Sequence, residues 1–371
     1  MKDDKQALVS VIVPIYNASK FLDQCLDSIS GQTHRNVEVL CVNDGSTDAS
    51  LSIMREHAAR DSRIRIIDKE NGGYGAACNR GIAEASGDWI SIVEPDDWID
   101  STMYADMLAY ASGFDDEIDI IKTPWWNLLE WDDPATLKTR PCPLASRFTG
   151  SRRPFTLAEH PELIEVHPGI WSAIYSKRFL NRCNIRFPEY PGAGWADNPF
   201  LIDTMAQAQS ILYLNRAYYR YRCDLPEATV GHATPDLVNR PFDRWVTMLD
   251  RLRDLGVTDS GILESHYMRG FMYVEGAMYD DGPDNPLVIA GAKRVFGLMD
   301  EGIVRHSIKI SGRRKKEYCD MLGKSYLPHV TPRRLLHICA DSYRHIKVLG
   351  LRDYMHDRVG VRLFGRRHPK K

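Results

Sequence analysis

The sequence predicts an α/β protein in which a doubly wound, mainly parallel sheet forms one domain and a mainly helical region follows it. The first observation is that short apolar runs rich in Val and Ile alternate with amphipathic helical segments through about the first hundred residues. Alternation of this kind with short connections is typical of parallel strands joined by crossover helices. The second observation is that, beyond about residue 226, apolar residues recur at helical spacing.

Four strands are predicted in the first half of this domain. They are buried, β-prone runs, namely "VSVIVPIYN" (9–17), "NVEVLCVND" (36–44), "RIRIID" (63–68) and "WISIVEP" (89–95). We expect the first of them to end at Pro14. Ligands of doubly wound sheets bind beyond the carboxyl ends of the strands, so the residues that follow these runs are the first candidates for a site.

Three helices are predicted to connect these strands. The segment 19–29 places its apolar residues on one helical face, namely Phe21, Leu22, Cys25, Leu26 and Ile29. The segment 45–60 is predicted as a helix for which Ser46 or Thr47 is a natural N-terminal cap. The third helix follows a glycine-rich turn at Asn71 and stops at Gly87.

Length and composition fit a folded protein with one large and one smaller domain. The chain has 371 residues, of which 43% are hydrophobic and 26% are charged. We divide it into a domain at 8–225 and a helical region at 226–371. Within the domain, residues 8–100 form a regular half, and residues 101–225 form a less regular half.

Several features favour a cytoplasmic location. No apolar run approaches the ~18 residues that a membrane-spanning helix requires. The polar N-terminal segment "MKDDKQALVS" is not typical of a secretory signal. The eight cysteines are scattered singly without a CxxC pair, so we expect free, mostly buried thiols rather than zinc sites or disulfides.

The charge is distributed unevenly along the chain. Residues 311–371 hold 16 Lys and Arg against 5 Asp and Glu, although the net charge of the whole chain is −2. A basic tail on an acidic body indicates an anionic partner, either a membrane surface or nucleic acid. We expect no nucleic acid, since no aromatic-stacking or groove-reading motif accompanies the charge. A solvated helical bundle packed on the domain is the alternative.

Polar clusters follow three of the predicted strands. They lie at 14–17, 43–46 and 94–97. The third cluster places Glu94, Asp96 and Asp97 within four residues, and carboxylates this close repel one another. An acidic surface turn would explain that cluster alone. A site for a divalent cation and a phosphate would explain why all three clusters converge on one edge of the sheet.

Five motifs occur in a specific order: "VSVIVPIYN", "VNDGSTDAS", "NGGYGAACNRGIAEASGDWI", "VEPDDW" and "ADNPF". On these motifs the sequence resembles the family 2 glycosyltransferases, which have the GT-A fold. The resemblance covers about residues 8–225 and is much weaker beyond residue 226. It implies an enzyme that transfers a sugar from a UDP-sugar donor, with 8–100 as the nucleotide-binding half of the domain and 101–225 as the acceptor-side half.

The resemblance implies that the donor is bound at the strand ends and at the glycine-rich turn. The residues concerned are Pro14, Tyr16, Asn17, Asp44, Gly45, Ser46, Asn71, Gly72, Gly73, Arg80, Glu94, Pro95 and Asp96. Asp44 would accept a hydrogen bond from the uracil N–H. The glycines would let the backbone approach the donor, because they lack a Cβ. A helix cap is the alternative for Asp44, and a solvated helix charge is the alternative for Arg80.

The same resemblance matches "EPDD" to the family's DxD-type acidic motif and implies Mn²⁺ or Mg²⁺ as cofactor. Asp96 is the first metal ligand in this interpretation, with Asp97 beside it, and the ion would offset charge on the leaving diphosphate. Glu94 stands where the family usually has Asp, so its individual role is left open. A merely structural turn remains the alternative.

The general base that the resemblance implies is Asp197, in the segment "WADNPF". A carboxylate there could remove the proton from an acceptor hydroxyl. Ala196 replaces the Glu that the family usually has, and a cap of the following helix is the alternative role for Asp197. Trp171 and Trp195 are implied to bind the acceptor sugar, with core packing as the alternative for Trp171.

One further motif, "RPFDRW" at 240–245, partly matches the QxxRW signature of processive synthases. Pro241 stands where that signature has Gln, and the chain has no predicted membrane spans. We therefore interpret Arg244 and Trp245 as ordinary helix residues.

These features together predict a metal-dependent inverting glycosyltransferase of bacterial capsule or exopolysaccharide assembly. Its acceptor would be a carbohydrate on a lipid-linked oligosaccharide, and its basic tail would hold it peripherally on the inner face of the plasma membrane. A nucleotidylyltransferase is one alternative, although "PIYNASKFL" lacks the glycine-rich, basic first loop of those enzymes. A non-catalytic sugar-nucleotide-binding or scaffold protein is the other. The donor sugar, the linkage and a homo-oligomeric state are left open.

Overall fold

The computed structural model describes residues 7–133, 135–192, 194–223 and 234–326, together with the isolated positions 343 and 347. Within these residues the chain forms a seven-stranded sheet, a second sheet of four strands and a group of helices on the C-terminal side. Most of the basic tail lies outside the described residues.

The secondary structure has the following bounds. The strands are β1 Val9–Ile15, β2 Val37–Asp44, β3 Ile64–Lys69, β4 Trp89–Ile92, β5 Trp98–Ile99, β6 Ile120–Lys122, β7 Trp125–Leu129, β8 Lys138–Pro141, β9 Ala173–Ser176, β10 Ile211–Tyr213 and β11 Tyr219–Arg222. The helices are α1 Leu22–Ser30, α2 Ser50–Arg60, α3 Tyr74–Glu84, α4 Met103–Ala111, α5 Lys177–Arg182, α6 Asp197–Gln207, α7 Pro235–Asp254, α8 Ser260–Asp280, α9 Pro286–Leu298, α10 Glu301–His306 and α11 Gly312–Met321.

The seven-stranded sheet has the order β10-β6-β9-β4-β1-β2-β3. Strand β1 pairs in parallel with β2 and β4, and β2 pairs in parallel with β3. Strand β9 runs antiparallel to both of its neighbours, β4 and β6. Every residue of β1 is buried, as expected for a parallel sheet covered on both faces. The predicted α/β class with a mainly parallel sheet is confirmed, although β1 continues one residue beyond Pro14.

The second sheet has the order β5-β11-β7-β8 and was not expected from the sequence. Its strand β11 pairs in parallel with β7 and antiparallel with β5. Because β5 directly follows the acidic segment 94–97, this pairing brings Tyr219 and Arg222 of β11 beside that segment.

Helix α1 buries the face that was expected, apart from Phe21, which is only partly buried. Helix α2 starts later than expected, at Ser50, so neither Ser46 nor Thr47 caps it. The reason is that Asp48 accepts the N–H of Ser50 at 2.9 Å, which stabilises a turn just before the helix.

The C-terminal side of the described chain is helical from α7 onward, which confirms the predicted helical region. Helix α7 packs against α6, α8 and α9, and its buried Trp245 stacks on His266 with ring centroids 4.6 Å apart. No helix in the part of the chain that the structure describes is long and apolar enough to cross a membrane. The seven cysteines in that part are free thiols, and five of them are buried.

Candidate active site

Asp44 lies at the end of β2 and is 2% exposed. Its two carboxylate oxygens accept the backbone N–H groups of Gly72, at 2.9 Å, and of Gly73, at 2.8 Å. The Lys69 ammonium donates to the same carboxylate at 2.5 Å, which gives this buried charge an opposite partner. Asp44 therefore connects β2 to the glycine-rich turn before α3, and it does not cap α2.

The end of β1 is joined to the loop that follows β2. The Asn17 N–H donates to Ser46 Oγ at 3.1 Å, and the Thr47 N–H donates to Asn17 Oδ1 at 2.8 Å. Tyr16 beside them is 54% exposed, whereas Pro14 is buried within β1. Tyr16 and Asn17 therefore present a surface to solvent at this strand end, and Pro14 contributes to the core.

Two glycines are required where these loops meet. Gly45 has φ +73°, and a Cβ on it would lie 2.9 Å from the backbone nitrogen of Asn71. Gly73 has φ +88°, and a Cβ on it would lie 2.3 Å from the carbonyl oxygen of Tyr190. Only glycine combines this backbone conformation with such close approach. The glycine-rich turn thus touches both the end of β2 and the segment before α6.

The segment after β4 places carboxylates in a poorly hydrated environment. Glu94 Oε1 accepts the hydroxyl of Tyr74 at 2.6 Å. Burial raises the pKa of Glu94 to about 8, and the negative charges of Asp96 and Asp197 add to that shift. Burial also raises the pKa of Asp96, although the positive charge of Arg222 opposes it. These carboxyl groups therefore repel one another when all are ionised.

Asp97, expected as a second metal ligand, points into the protein and is 1% exposed. Its Oδ1 accepts the backbone N–H of Arg222 at 2.8 Å. The guanidinium of Arg222 donates to Gln24 at 2.6 Å and lies over the Trp98 ring, 4.4 Å from its centroid. These contacts bury Asp97, whereas Asp96 is partly exposed. The metal role of Asp97 stays a prediction, and Asp96 is the more accessible of the two carboxylates.

The remaining carboxylates fit a divalent cation that is held mainly by its substrate. Mg²⁺ and Mn²⁺ are commonly bound by one or two protein carboxylates together with phosphate oxygens. Asp96 is partly exposed, and a cation beside it would reduce its repulsion with Glu94. Within the described residues, no group of three His, Cys, Asp or Glu side chains is arranged to hold a metal without such a substrate.

Asp197 is the first residue of α6, and Ala196 occupies the N-cap position before it. Burial raises the pKa of Asp197 to about 6, whereas the charge of Arg269 and hydrogen bonds from Asn198 lower it. The charge of Asp197 in turn raises the pKa of Glu94. Asp197 and Glu94 come from opposite halves of the domain, and Tyr74 links their segments, because it donates its hydroxyl to Glu94 and its backbone N–H to Gly192 before α6.

The segment before α6 is strained and is held by α7. Trp195 has φ +55°, an uncommon conformation for an aromatic residue. Arg244 lies over the ring of Tyr190, 3.5 Å from its centroid, and its Nε donates to the carbonyl of Gly194 at 2.7 Å. Arg244 is therefore more than an ordinary helix residue, because it fixes the segment that carries Trp195. Trp245 is a core residue, as expected.

Two residues with expected binding roles have other partners. Trp171 is 3% exposed, and its ring stacks on Tyr219 with centroids 4.0 Å apart, so it has no open face for a sugar. The guanidinium of Arg80 pairs with Glu84 at 2.6 Å on the surface of α3. Core packing replaces the binding role of Trp171, whereas the binding role of Arg80, whose side chain is half exposed on α3, stays a prediction.

Several residues at this site were missed from the sequence. They are Lys69, Tyr74, Tyr219, Arg222, Arg244 and Arg269. Lys69 ends β3 in the same way that Asp44 ends β2, and this strand-end position was a usable signal. Tyr74 lies inside the glycine-rich motif. Arg244 lies in the partly matching motif at 240–245, from which no site role was expected. Tyr219, Arg222 and Arg269 come from segments without a motif, and only the fold brings them to the site.

Comparison with known proteins shows which proteins this chain resembles. Residues 10–181 match the family model "Glycosyl transferase family 2". The uncharacterized glycosyltransferase EpsJ of Bacillus subtilis is 31% identical over 215 residues, which are 58% of this chain and 61% of EpsJ. Glycosyltransferase GlyA of Streptococcus pneumoniae is 46% identical over 112 residues, which are 29% of this chain and 16% of GlyA. The chain thus spans less than two thirds of each of these relatives.

Among solved structures, S. aureus TarS 1–349 in complex with UDP-GlcNAc superposes with a TM-score of 0.66 at 19% identity, covering 87% of this chain and 94% of that one. A second TarS structure gives a TM-score of 0.67 at 18% identity, covering 85% of this chain and 53% of that one. Likeness at this level of identity establishes the fold, which is GT-A. Residues 10–181, which are less than half of the chain, are thus similar to glycosyl transferase family 2.

Proposed function

We propose that this protein is a metal-dependent inverting glycosyltransferase that moves one sugar from a UDP-sugar to a carbohydrate acceptor by single displacement. One observation carries the proposal: Tyr74 joins the two halves of the domain at 8–225, because its hydroxyl donates to Glu94 at 2.6 Å and its backbone N–H donates to Gly192, in the segment before Asp197, at 2.9 Å. Two carboxylate-bearing segments that converge in this way can act on the two ends of one reaction, the acceptor hydroxyl and the leaving diphosphate.

The donor nucleotide would lie across the ends of β1 and β2. Tyr16 and Asn17 are exposed there, and Asp44 is held by Gly72 and Gly73. A carboxylate has about four acceptor sites, and three of those on Asp44 are taken by the two glycines and Lys69. The uracil N–H could use the remaining site. The match of residues 10–181 to family 2, and the UDP-GlcNAc complex of TarS, support a uridine nucleotide as the donor.

Asp197 would act as the general base. With a pKa of about 6 it is ionised at neutral pH, yet it is basic enough to take a proton as the acceptor hydroxyl attacks. The bond from the anomeric carbon to the diphosphate breaks as the bond to the acceptor oxygen forms, and the configuration inverts. A divalent cation at Asp96 would offset the negative charge that develops on the leaving diphosphate.

We assign the acceptor to surface-polysaccharide assembly on a lipid-linked saccharide. Relatives named chondroitin synthase, from Escherichia coli, and hyaluronan synthase, from Pasteurella multocida, share 93-residue segments at 39% and 37% identity, which supports a glycan acceptor. The helical region at 226–371, with its basic tail, would hold the enzyme peripherally at the anionic inner face of the plasma membrane.

The proposal is tested by melting the purified protein with UDP-glucose, UDP-galactose, UDP-GlcNAc, UDP-GalNAc or UDP-glucuronic acid, with and without Mn²⁺. A donor that binds the native fold raises the melting temperature by mass action. We expect one of these sugars to raise it more than UDP alone, and only with Mn²⁺. If none of them shifts melting, the donor assignment is wrong.

The two alternatives give different results in matched assays. A nucleotidylyltransferase would release pyrophosphate from UTP and a sugar 1-phosphate, and we expect none. A non-catalytic binding protein would melt later with a UDP-sugar but release no UDP from it, whereas we expect slow UDP release even with water as the acceptor.

A further inference from the structure

Arg269 of α8 is a buried cation without a carboxylate in contact. Its side chain is 1% exposed, and no ion pair found within residues 234–326 or the other described parts includes it. Its Nη groups donate to the backbone carbonyls of Ile164, at 3.2 Å, and of Val166, at 2.6 Å. Burying a charge is costly unless hydrogen bonds and an opposite charge nearby compensate for the lost hydration.

The third donor of Arg269 begins a chain of hydrogen bonds that ends on Asp197. Arg269 Nε donates to the hydroxyl of Tyr273 at 3.1 Å. That hydroxyl donates to Asn198 Oδ1 at 2.7 Å, and Asn198 Nδ2 donates to Asp197 Oδ1 at 3.2 Å. Every donor in the chain points toward Asp197, so each bond polarises the next in the direction that favours an ionised carboxylate.

The environment of Asp197 otherwise opposes its ionisation. The negative charge of Asp197 raises the pKa of five neighbouring groups, namely Tyr74, Cys78, Glu94, Tyr221 and Tyr273. None of those five carries a positive charge, and Glu94 is negative when ionised. Among the described residues, Arg269 is the cation whose charge lowers the pKa of Asp197.

We propose that Arg269 and Tyr273 are positioning residues, which orient Asn198 and hold the carboxylate of Asp197 ionised and correctly placed at the active site. The helical region would in this way complete the catalytic apparatus of the sheet domain. The inference rests on the proposed role of Asp197 as general base, and it adds two residues on α8 that no sequence motif marks.

The test compares Tyr273→Phe, Arg269→Lys and Arg269→Met with the wild type. Tyr273→Phe removes one hydroxyl and keeps the ring that packs 5.7 Å from Trp195. Tyr267→Phe is the matched control, because it also removes a tyrosine hydroxyl from α8. This hydroxyl accepts the N–H of Asp300 and takes no part in the hydrogen bonds that lead to Asp197. Melting temperatures identify any variant that does not fold.

The first readout is the pKa of Asp197, which is measured by ¹³C NMR of protein labelled at the aspartate carboxyl carbons. The Asp197 signal is assigned by its absence from Asp197→Asn. Since the cation lowers this pKa, we expect Arg269→Met to raise it by about one unit and Arg269→Lys to raise it less. Tyr267→Phe should leave it unchanged. An unchanged pKa in a folded Arg269→Met or Tyr273→Phe protein would overturn the inference.

The second readout is UDP release, with the UDP-sugar that most increases the melting temperature. We expect Tyr273→Phe to lower kcat about 3- to 10-fold without raising KM, and to move the acid limb of the pH profile to higher pH. Adding Tyr273→Phe to Asp197→Asn should cause no further loss. If Asp197→Asn itself is fully active, the proposed function fails. If Asp197→Asn is inactive while Tyr273→Phe matches the wild type, only the positioning role fails.

Discussion

Asp96 and Asp97 are neighbours in the chain but have different surroundings. Asp97 is enclosed by Arg222 and the strand β11, whereas Asp96 is partly exposed beside Glu94. Of these two aspartates, Asp97 is thus held by structural contacts, whereas Asp96 is the one accessible at the candidate active site. Which of the two is available to a ligand depends on the second sheet, because β11 covers only one of them.

This difference leads to a paired experiment at the residue scale. Asp96→Asn should lower transfer about 10²–10³-fold, the size typical of removing one group that stabilises transition-state charge. Its melting temperature should stay near that of the wild type, because no core contact is lost. Asp97→Asn is the matched variant and should lower the melting temperature instead, since its carboxylate accepts the backbone N–H of Arg222.

Kinetics at several Mn²⁺ concentrations and thermal melts of both variants measure these effects. Near-normal turnover of Asp96→Asn at limiting Mn²⁺ would show that Asp96 is not the metal ligand.

The element scale shows what could be predicted from the sequence. Strands β1 to β4 were predicted because each is a short run rich in Val or Ile between turn signals. Their ends marked Asp44, Glu94 and Asp96 as site residues. The second sheet could not be predicted, because β5 has two residues and pairs with β11 across more than a hundred residues of chain. No local pattern encodes such a partner.

The lack of a local pattern also explains why the role of Trp171 could not be decided from the sequence. Trp171 has a residue type and position that suit sugar binding, and only the fold supplies Tyr219 as its stacking partner. The partner of Arg80, Glu84, lies four residues along the same helix, so that pair was visible in the sequence. Arg269 reaches Asp197 through two intermediate side chains, so neither spacing nor a motif could reveal it.

Packing between elements can be tested at the start of α3. A Cβ on Gly75 would lie 2.1 Å from the carbonyl oxygen of Pro188, in the segment before α6. Because backbone must move to admit it, we expect Gly75→Ala to destabilise the protein by about 1–3 kcal/mol. It should also weaken UDP-sugar binding, since the adjoining glycine-rich turn holds Asp44.

Gly276→Ala is the matched control for that substitution. Gly276 lies in α8, and a Cβ on it would have nothing within 4 Å, so alanine should stabilise the protein by about 0.5–1 kcal/mol. Urea unfolding of both variants gives the comparison. A Gly75→Ala protein as stable as Gly276→Ala would show that the two segments do not pack as described.

At the scale of the whole molecule, the charge asymmetry separates into two parts. The basic residues of 312–326 are used internally: Arg313 and Arg314 pair with Glu275, Lys316 with Asp320 and Lys324 with Glu301, and Lys315 donates to backbone carbonyls. Residues 327–371 lie almost entirely outside the described residues and hold 11 Lys and Arg against 3 Asp and Glu. The expected membrane contact therefore depends on this second part.

Truncation after residue 330 should reduce binding to anionic liposomes at low salt far more than it reduces UDP release. Each Lys or Arg near an anionic surface contributes about 1 kcal/mol, and salt screens this attraction. A full-length variant with Arg366, Arg367, Lys370 and Lys371 changed to Gln separates charge from chain length, and it should bind with intermediate strength. Equal sedimentation of the full-length and truncated proteins with these liposomes would exclude the tail as the membrane contact.

The central claim is that this GT-A domain transfers sugar from a UDP-sugar with Asp197 as its base. The most direct measurement is UDP release by Asp197→Asn, with the donor's effect on melting recorded in parallel. The matched control is Asp203→Asn, which removes a carboxylate of the same helix that pairs with Arg251 at 3.4 Å. We expect Asp197→Asn to bind the donor like the wild type but release UDP about 10²–10⁴-fold more slowly, while Asp203→Asn stays active. Wild-type turnover by Asp197→Asn, or lost donor binding with unchanged turnover at saturation, would contradict the claim.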